Sequence, residues 1–367
     1  MESELRERKS YLKEDKQGLD TKEQSFMEFN NSSMPQISYE DDTDFLRNIK
    51  LPEFDPTHID LITFTSRQLQ EVAEGAEQLV HKILMSTNKW HGTHFYNLPK
   101  YLQDNDFLLH GHRPQLESFI QCFRSIFRIH TETVNIWTHL LGCIAFLVVA
   151  AYFISRPSNQ VLWREKLIFG SFFFSAILCL GFSFLFHTMS CHSEKMGKLF
   201  SRLDYCGITF LIMGSCVPWL YYSFYCQPYI KFGYLTLIIL LGIICLVISF
   251  WERFGDPDYR WLRAGLFITF GCSGVVPALH YTIANGIYTA MTLGVMGWVG
   301  LMGLLYIVGT LMYAFRVPER FFPGKFDLWF QSHQIFHVFV LMAAFVHYYG
   351  ISKMAAHRLS LGECVYR

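Results

Sequence analysis

Charged residues are scarce in this 367-residue chain, and the two signs balance. Asp, Glu, Lys and Arg together make up 17% of the residues, and the formal net charge at pH 7 is zero. A protein that binds nucleic acid through its phosphates usually carries a surplus of basic residues. The composition therefore gives no sign of a nucleic-acid partner.

Several motifs of known chemistry are also missing. The ten cysteines include no CxxC pair, and most of them lie inside apolar runs. They are expected to be small buried side chains rather than a disulfide framework, although a bridge that involves Cys226 stays open. No GxSxG, Walker or GxGxxG motif lies in a setting that suits its chemistry. The charged N-terminus lacks the apolar run of a cleavable signal peptide, so the first spanning helix is expected to direct insertion.

What the sequence has instead is long apolar runs. Hydrophobic residues make up 51% of the chain, and 35 of them are Phe. Beyond about residue 130 they form stretches of ~20 residues, the length that crosses a bilayer as a helix. Seven such stretches are predicted: 134–154, 166–189, 203–225, 229–250, 264–283, 288–313 and 328–350. The sequence therefore predicts an all-α membrane protein whose seven-helix domain occupies residues 134–351.

The remaining segments are more polar. Residues 1–64 contain an acidic stretch and are predicted to be disordered. Residues 65–133 are predicted to be a cytoplasmic juxtamembrane region that contains an amphipathic helix, and a solvated helix is an equally good interpretation. The apolar positions that recur at helical spacing there are Leu69, Val72, Ala76, Leu79 and Ile83. Residues 352–367 are predicted to be an extracellular tail.

The distribution of Lys and Arg predicts the orientation, because basic residues are retained on the cytoplasmic side of a membrane. The flanks on the side of the N-terminus carry eleven of them, and the flanks on the other side carry seven. An odd number of spans separates the two termini. We therefore expect a cytoplasmic N-terminus and an extracellular C-terminus, the reverse of a G-protein-coupled receptor.

A group of polar residues recurs inside the apolar stretches. His333 and His337 lie four residues apart in the seventh stretch, so a helix places them on one face. His187 ends the second stretch and Asp204 begins the third, which brings both to a depth similar to that of the pair. Ser183 shares a helix face with His187. Three imidazoles in an apolar interior suit Zn²⁺ with an open position for water, which Asp204 could contact.

A simpler interpretation stays open, in which the imidazoles bond to backbone carbonyls or to one another. Gln334 stands where zincin proteases carry the Glu of HExxH, which disfavours a protease of that type. Any general base would have to be Asp204. The other histidines of the spans, which have no partner three or four residues away, are interpreted as packing or interface residues: His139, His280 and His347. Two loop pairs are capable of binding a metal but are expected to be solvated: His91 with His94, and His110 with His112.

Several segments identify a family that the sequence resembles. They include DNDFLLHGHRP, FRSIFRIHTETVNIWTHLLG, FSFLFHTMSCHSEK, FSRLDYCGI, RVPERFFPGKFDLWFQSHQIFHVFV and FVHYYG. From about residue 104 to 352 the chain resembles the adiponectin receptors of the progestin and adipoQ receptor family, which is similar to the hemolysin III proteins. The resemblance implies seven spanning helices, a cytoplasmic N-terminus and a zinc ion near the inner face. It assigns the zinc ligands to His187, His333 and His337, a contact through water to Asp204, and the family's serine to Ser183.

The resemblance also implies a function. It predicts a plasma-membrane receptor for an extracellular adiponectin-like hormone, which regulates lipid and glucose metabolism through cytoplasmic adaptor proteins. It also predicts hydrolysis of ceramide to sphingosine and a fatty acid, with Asp204 and Ser183 as the catalytic side chains. The alternative is a receptor whose zinc is only structural. A channel or transporter is weakly supported, since the sequence shows no inverted repeat and no ring of like charges. A homo-oligomer is left open.

Overall fold

The computed structural model describes residues 92–292 and 295–362 together with Cys364. Within these residues the chain is helical, and extended pairing is limited to one isolated bridge between Thr93 and His112. The predicted disordered segment 1–64 and the predicted amphipathic helix that follows it lie outside the described residues.

The helices are numbered in chain order. The described residues contain ten α-helices: α1 Phe119–Ser125, α2 Thr133–Ser155, α3 Trp163–Met189, α4 Glu194–Ser223, α5 Pro228–Ser249, α6 Arg260–Cys272, α7 Val275–Asn285, α8 Ile287–Thr292, α9 Val295–Phe315 and α10 Ser332–Ser360. Short 3₁₀ helices occupy Phe95–Asn97, Lys100–Leu102, Glu252–Gly255 and Pro257–Tyr259.

The described residues contain seven helical segments that are long and apolar enough to cross a membrane. They are α2, α3, α4, α5, the segment Pro257–Asn285 that includes α6 and α7, then α9 and α10. Many large apolar side chains point away from the bundle, as expected where lipid replaces water as the surrounding medium. The predicted all-α architecture with seven spans is confirmed.

The predicted fifth stretch is interrupted. The fifth changes from α6 to α7 around Ser273 and Gly274, and Pro277 lies in the first turn of α7, where its missing N–H removes no helical hydrogen bond. Gly286 ends α7 with a φ of +82°, a conformation that is open to glycine and strained for other residues. The predicted sixth stretch, 288–313, covers α8 and most of α9, and residues 293–294 between them lie outside the described residues.

The seventh spanning helix, α10, extends beyond its predicted end. α10 continues to Ser360, ten residues past the predicted boundary at residue 350. Most of the predicted tail 352–367 is therefore helical, because residues such as Met354 and Ala355 are buried against the bundle. Polar residues in this part of the sequence hid the continuing apolar face.

One end of the bundle collects the helix termini that matter for the site, and we call it the site end. α3 ends there at Met189, and after a four-residue connection α4 begins at Glu194. α10 also begins there, since the Gln331 side chain donates 2.8 Å to the carbonyl of Thr131, just before α2. α3 and α4 approach closely further along, because a Cβ at Gly207 would lie 2.9 Å from Cα of Cys179.

The opposite end, which we call the far end, carries a disulfide between Cys226 and Cys364. It joins the segment after α4 to the segment after α10, across 138 residues of sequence. The general expectation of free, buried cysteines is wrong at these two positions, and the bridge at Cys226 that was left open is present. The eight other cysteines are free, and seven of them are buried or partly buried.

Candidate metal centre

Three histidines from two helices converge at the site end. His187 belongs to the last turn of α3, while His333 and His337 face it from the first turns of α10. The Nε2 atoms of His187 and His333 are 3.2 Å apart, and the ring centroids within the group are separated by 4.8–4.9 Å. One nitrogen from each ring lies within 4.8 Å of the others. No other such group of His, Cys, Asp or Glu occurs among the described residues.

Hydrogen bonds on the outer side orient two of these rings. Nδ1 of His187 lies 2.7 Å from Oε2 of Glu132, and Nδ1 of His337 lies 3.2 Å from the backbone carbonyl of Asn135. If each Nδ1 carries the proton, as these acceptors require, each Nε2 keeps its lone pair. Metal-bound histidines are commonly held in this way by a carboxylate or carbonyl. The geometry therefore suits a divalent ion held by imidazole nitrogens.

Glu132 is a functional residue that sequence reasoning missed. Its carboxylate also accepts a hydrogen bond of 2.8 Å from Asn135. Burial raises the pKa of Glu132, but the hydrogen bonds that its carboxylate accepts from His187 and Asn135 outweigh that effect and hold the pKa well below its usual range. Glu132 lies just before the first apolar stretch and therefore outside the spans, where ionisable residues are conspicuous. The signal was an acidic residue at the same membrane depth as His187.

Asp204 and Ser183 lie beside the histidines, as predicted from their depth. Asp204, in the third turn of α4, is 8% exposed and lines the adjoining cavity. Ser183, one turn before His187 on α3, lies within hydrogen-bonding reach of the Asp204 carboxylate. The structure thus brings together all five residues that the sequence singled out: Ser183, His187, Asp204, His333 and His337.

The remaining histidines have different surroundings. The ring of His139 stacks on that of His337 at a centroid distance of 3.6 Å, and His280 lies 2.9 Å from the hydroxyl of Tyr234. The prediction that His112 is solvated is wrong. Its ring is buried and lies 3.0 Å from the carbonyl of Leu108, because the loop folds back on itself through the bridge to Thr93.

The other described loop histidines, His94 and His110, belong to no group of three or more metal-binding side chains. His110 is exposed and lies 3.1 Å from Asp327, and its ring meets that of His94 edge to face. His91 lies outside the described residues.

Two buried charged residues fasten the helix ends that carry the triad. Arg113 donates to the backbone carbonyls of His187 and Thr188 and to the hydroxyl of Ser125. Glu319 accepts from the backbone N–H of Ser332 at 2.8 Å and from its hydroxyl, at the first residue of α10. Both contacts join loop segments to residues at or next to the triad. The loops before α2 and before α10 therefore fix the end of α3 and the start of α10.

A cavity of about 570 Å³ extends from the triad into the bundle. Its wall is formed mainly by apolar residues of α4, α6, α7, α9 and α10. At the site end it is also lined by His333, His337, Asp204 and the buried Arg263, whose guanidinium donates 3.3 Å to the hydroxyl of Tyr313. A long apolar chain with a polar group at one end matches this lining.

Comparisons with known proteins agree with this arrangement. The haemolysin-III-related family model matches residues 127–348. An "Adiponectin receptor protein" from Drosophila melanogaster is 61% identical over 292 residues, 80% of this chain and 65% of that protein. A "Progestin and adipoQ receptor-like protein 1" from Caenorhabditis elegans is 52% identical over 272 residues, 74% of this chain and 63% of that protein.

The chain thus matches slightly less than two thirds of the length of these two relatives. The "ADIPOR-like receptor IZH2" of Saccharomyces cerevisiae is 36% identical over 295 residues, which are 78% of this chain and 88% of that protein. The family match covers the first six spans, the start of the seventh, the triad and Asp204. This chain is therefore an integral membrane protein of the haemolysin-III-related family and a member of its progestin and adipoQ receptor group.

Proposed function

We propose that this protein is an adiponectin-receptor-like hormone receptor of the plasma membrane whose histidine triad binds Zn²⁺ and hydrolyses ceramide. The observation that carries the proposal is the meeting of three histidines and a buried carboxylate at the end of an apolar cavity. The names of the relatives support the receptor role. Regulation of lipid and glucose metabolism through cytoplasmic adaptors belongs to the same proposal.

The donor set fits zinc better than a harder ion. Zinc prefers imidazole nitrogen at ~2.0–2.1 Å in a tetrahedral arrangement, which places nitrogen ligands about 3.3 Å apart. The separation of 3.2 Å between His187 and His333 is close to that value. Mg²⁺ and Ca²⁺ prefer oxygen ligands, and the triad supplies none. When bound, zinc would supply a Lewis acid and would lower the pKa of a water molecule in its fourth position.

The residues around that position have separate roles in the proposed amide hydrolysis. Asp204 accepts a proton as the water oxygen bonds to the amide carbon, and it returns a proton to the sphingosine nitrogen as the C–N bond breaks. Ser183 holds the Asp204 carboxylate in place. Arg263 lies on the same cavity wall, where its positive charge stabilises the carbonyl oxygen as negative charge develops and then the fatty-acid carboxylate. The apolar wall accommodates the lipid chain.

The proposed orientation places the site end at the cytoplasmic face. Structural disulfides persist in oxidising compartments, so the bridge between Cys226 and Cys364 favours an exterior far end. The basic residues of the connecting segments favour the same orientation. An extracellular hormone would then contact the far end, and cytoplasmic adaptors would contact the site end.

The test is fatty-acid release from a short-chain ceramide by zinc-loaded protein in nanodiscs. Asp204→Asn keeps the shape of the side chain but removes its basicity, so we expect a loss of roughly 10²–10⁴-fold with zinc retained. Asp258→Asn, at an exposed position outside the cavity, is the matched control and should leave the rate unchanged. Ser183→Ala should cost less if the serine only orients Asp204. Equal rates for wild type and Asp204→Asn would refute the role of Asp204.

A receptor with structural zinc is the second candidate. The observation in its favour is that the triad joins α3 to α10 and that the stacked rings of His139 and His337 tie α2 to the same point. On that account, removing zinc lowers thermal stability, while wild type and Asp204→Asn both release no fatty acid. That pair of results would favour structural zinc over hydrolysis.

A further inference from the structure

Away from the triad, the cavity wall carries the buried hydroxyl of Tyr306 on α9 and, on α4 and α10, three further buried polar atoms. They are Oγ of Ser215, Nε1 of Trp219 and Nε2 of His347. None has a hydrogen-bond partner among the described residues, and the three side chains are 7%, 4% and 3% exposed. A buried polar atom without a partner is destabilising, because it has given up its hydrogen bonds to water and gained none. This cluster, which we call the far polar cluster, therefore favours a ligand atom that can complete its hydrogen bonds.

The three residues lie close together. Ser215 and Trp219 are four residues apart on α4 and share a helix face. The ring of His347 on α10 approaches the backbone carbonyl of Ser215. Both helices begin at the site end, so depth can be counted from there. Ser215 is 11 residues beyond Asp204 and His347 is 10 beyond His337. At 1.5 Å per residue, Ser215 and His347 lie about 15–17 Å along their helices from the site end, and Trp219 lies one turn further on.

The wall between the triad and the far polar cluster is largely apolar. On α4 it presents Ile208, Leu211 and Ile212, and on α10 it presents Phe336 and Val340. A saturated chain that fills the cavity would pack well against these apolar residues, but it would leave the polar atoms of the cluster without hydrogen-bond partners. A chain that carries an oxygen at the right distance would satisfy it. A polar site of this kind discriminates against the ligand that lacks the polar group.

The chemistry of the cluster selects a neutral hydroxyl. The indole of Trp219 can only donate, whereas the Ser215 hydroxyl and the His347 ring can donate or accept. A hydroxyl both accepts and donates, so it can serve all three. The lining residues around the cluster include no Lys or Arg, and Arg263 lies at the site end. A carboxylate would therefore lack a counter-charge at this depth.

We propose that the cavity binds a lipid chain that bears a hydroxyl about 15 Å from the group at the triad, with that hydroxyl held by Ser215, Trp219 and His347. The proposal rests on the proposed function in one respect, because it assumes that a lipid enters this cavity. It does not require hydrolysis. The far polar cluster would make the protein selective for hydroxylated acyl chains over unmodified ones.

The experiment measures displacement of radiolabelled palmitic acid from the purified chain in nanodiscs. The competitors are lauric, myristic and palmitic acids and their ω-hydroxy derivatives, which vary the distance between the carboxylate and the hydroxyl. A hydroxyl also alters partition into the nanodisc lipid. The readout is therefore the affinity ratio of each hydroxy acid to its parent, compared between wild type and variants.

Trp219→Phe and Ser215→Ala remove one polar atom each. For the best-matched chain length, each should lower the ratio about three- to tenfold, the value of one neutral hydrogen bond. Tyr222→Phe is the matched control, because its buried hydroxyl also lacks a described partner but does not line the cavity. It should leave the ratio unchanged.

An equal ratio in wild type, Trp219→Phe and Ser215→Ala at all three chain lengths would overturn the proposal and leave water as the occupant. Failure of every fatty acid to displace the label would overturn it as well. Loss of ceramide hydrolysis alone, with the ratio intact, would count against the proposed function and not against the hydroxyl site.

Discussion

The carboxylate of Glu132 lies 2.7 Å from Nδ1 of His187 and links the residue before α2 to the last turn of α3. This contact fixes the ring so that its other nitrogen faces His333. The proton on Nδ1 is stabilised by the negative charge of Glu132, which makes Nε2 a stronger ligand. A residue outside the apolar spans thus supports the proposed metal centre within them.

We predict that Glu132→Gln lowers zinc affinity about 10–100-fold, the usual effect of losing such a partner. Gln keeps the size of the side chain and one oxygen acceptor but loses the charge. Zinc affinity would be measured by competition with a chelator of known affinity. Glu194→Gln, which removes an exposed carboxylate paired with Lys198, should leave the affinity unchanged. Equal affinity in wild type and Glu132→Gln would show that the contact does not tune the metal.

The triad itself gives the second prediction. We expect about one zinc per chain, and replacement of His187, His333 or His337 by Ala should lower both zinc content and thermal stability. Asp204→Ala should lower the content less, because its expected contact is through water. Elemental analysis and thermal unfolding on the same samples provide the measurement. His280→Ala, at a span histidine outside the triad, is the control. Full zinc retention in the double variant His333→Ala/His337→Ala would refute the site.

Glu319 gives the third prediction. Its buried carboxylate caps the start of α10 by accepting from Ser332, and it also accepts 3.0 Å from Asn105. Glu319→Ala leaves the Ser332 N–H without this partner, so we expect a loss of about 2 kcal/mol and weaker zinc binding. Thermal unfolding with and without zinc measures both effects. Glu117→Ala, at an exposed position, should change neither. Unchanged zinc affinity in Glu319→Ala would limit the role of Glu319 to stability.

Orientation gives the fourth prediction. Asn159 lies exposed in the loop between α2 and α3, at the far end, and Glu117 lies exposed before α1, at the site end. In intact cells, a membrane-impermeant maleimide should label Asn159→Cys and should label Glu117→Cys only after permeabilisation. The unsubstituted chain supplies the background, which includes the exposed Cys272. The opposite pattern would reverse the proposed topology and place the metal centre at the exterior face.

The sequence alone determined the spans and the five main site residues. Apolar runs of bilayer length leave a helix as the only way to satisfy the backbone in lipid, so seven spans follow from composition. The alternation of the spans brought His187, Asp204 and the pair His333 and His337 to one depth. Ionisable residues are costly in lipid, and their rarity in the spans made them conspicuous.

Only the tertiary structure decided which side chains at that depth are in contact. It also decided which residues outside the spans support those side chains. Glu132, Arg113 and Glu319 come from loops whose sequences carry no periodic signal, and their roles depend on contacts with residues up to 214 positions away. The break at Gly286 and the extension of α10 to Ser360 depend on local backbone conformation and on packing. The far polar cluster likewise forms only because α4 and α10 pack side by side. The sequence determines how far along its helix each polar residue lies, but packing determines which helix lies beside it.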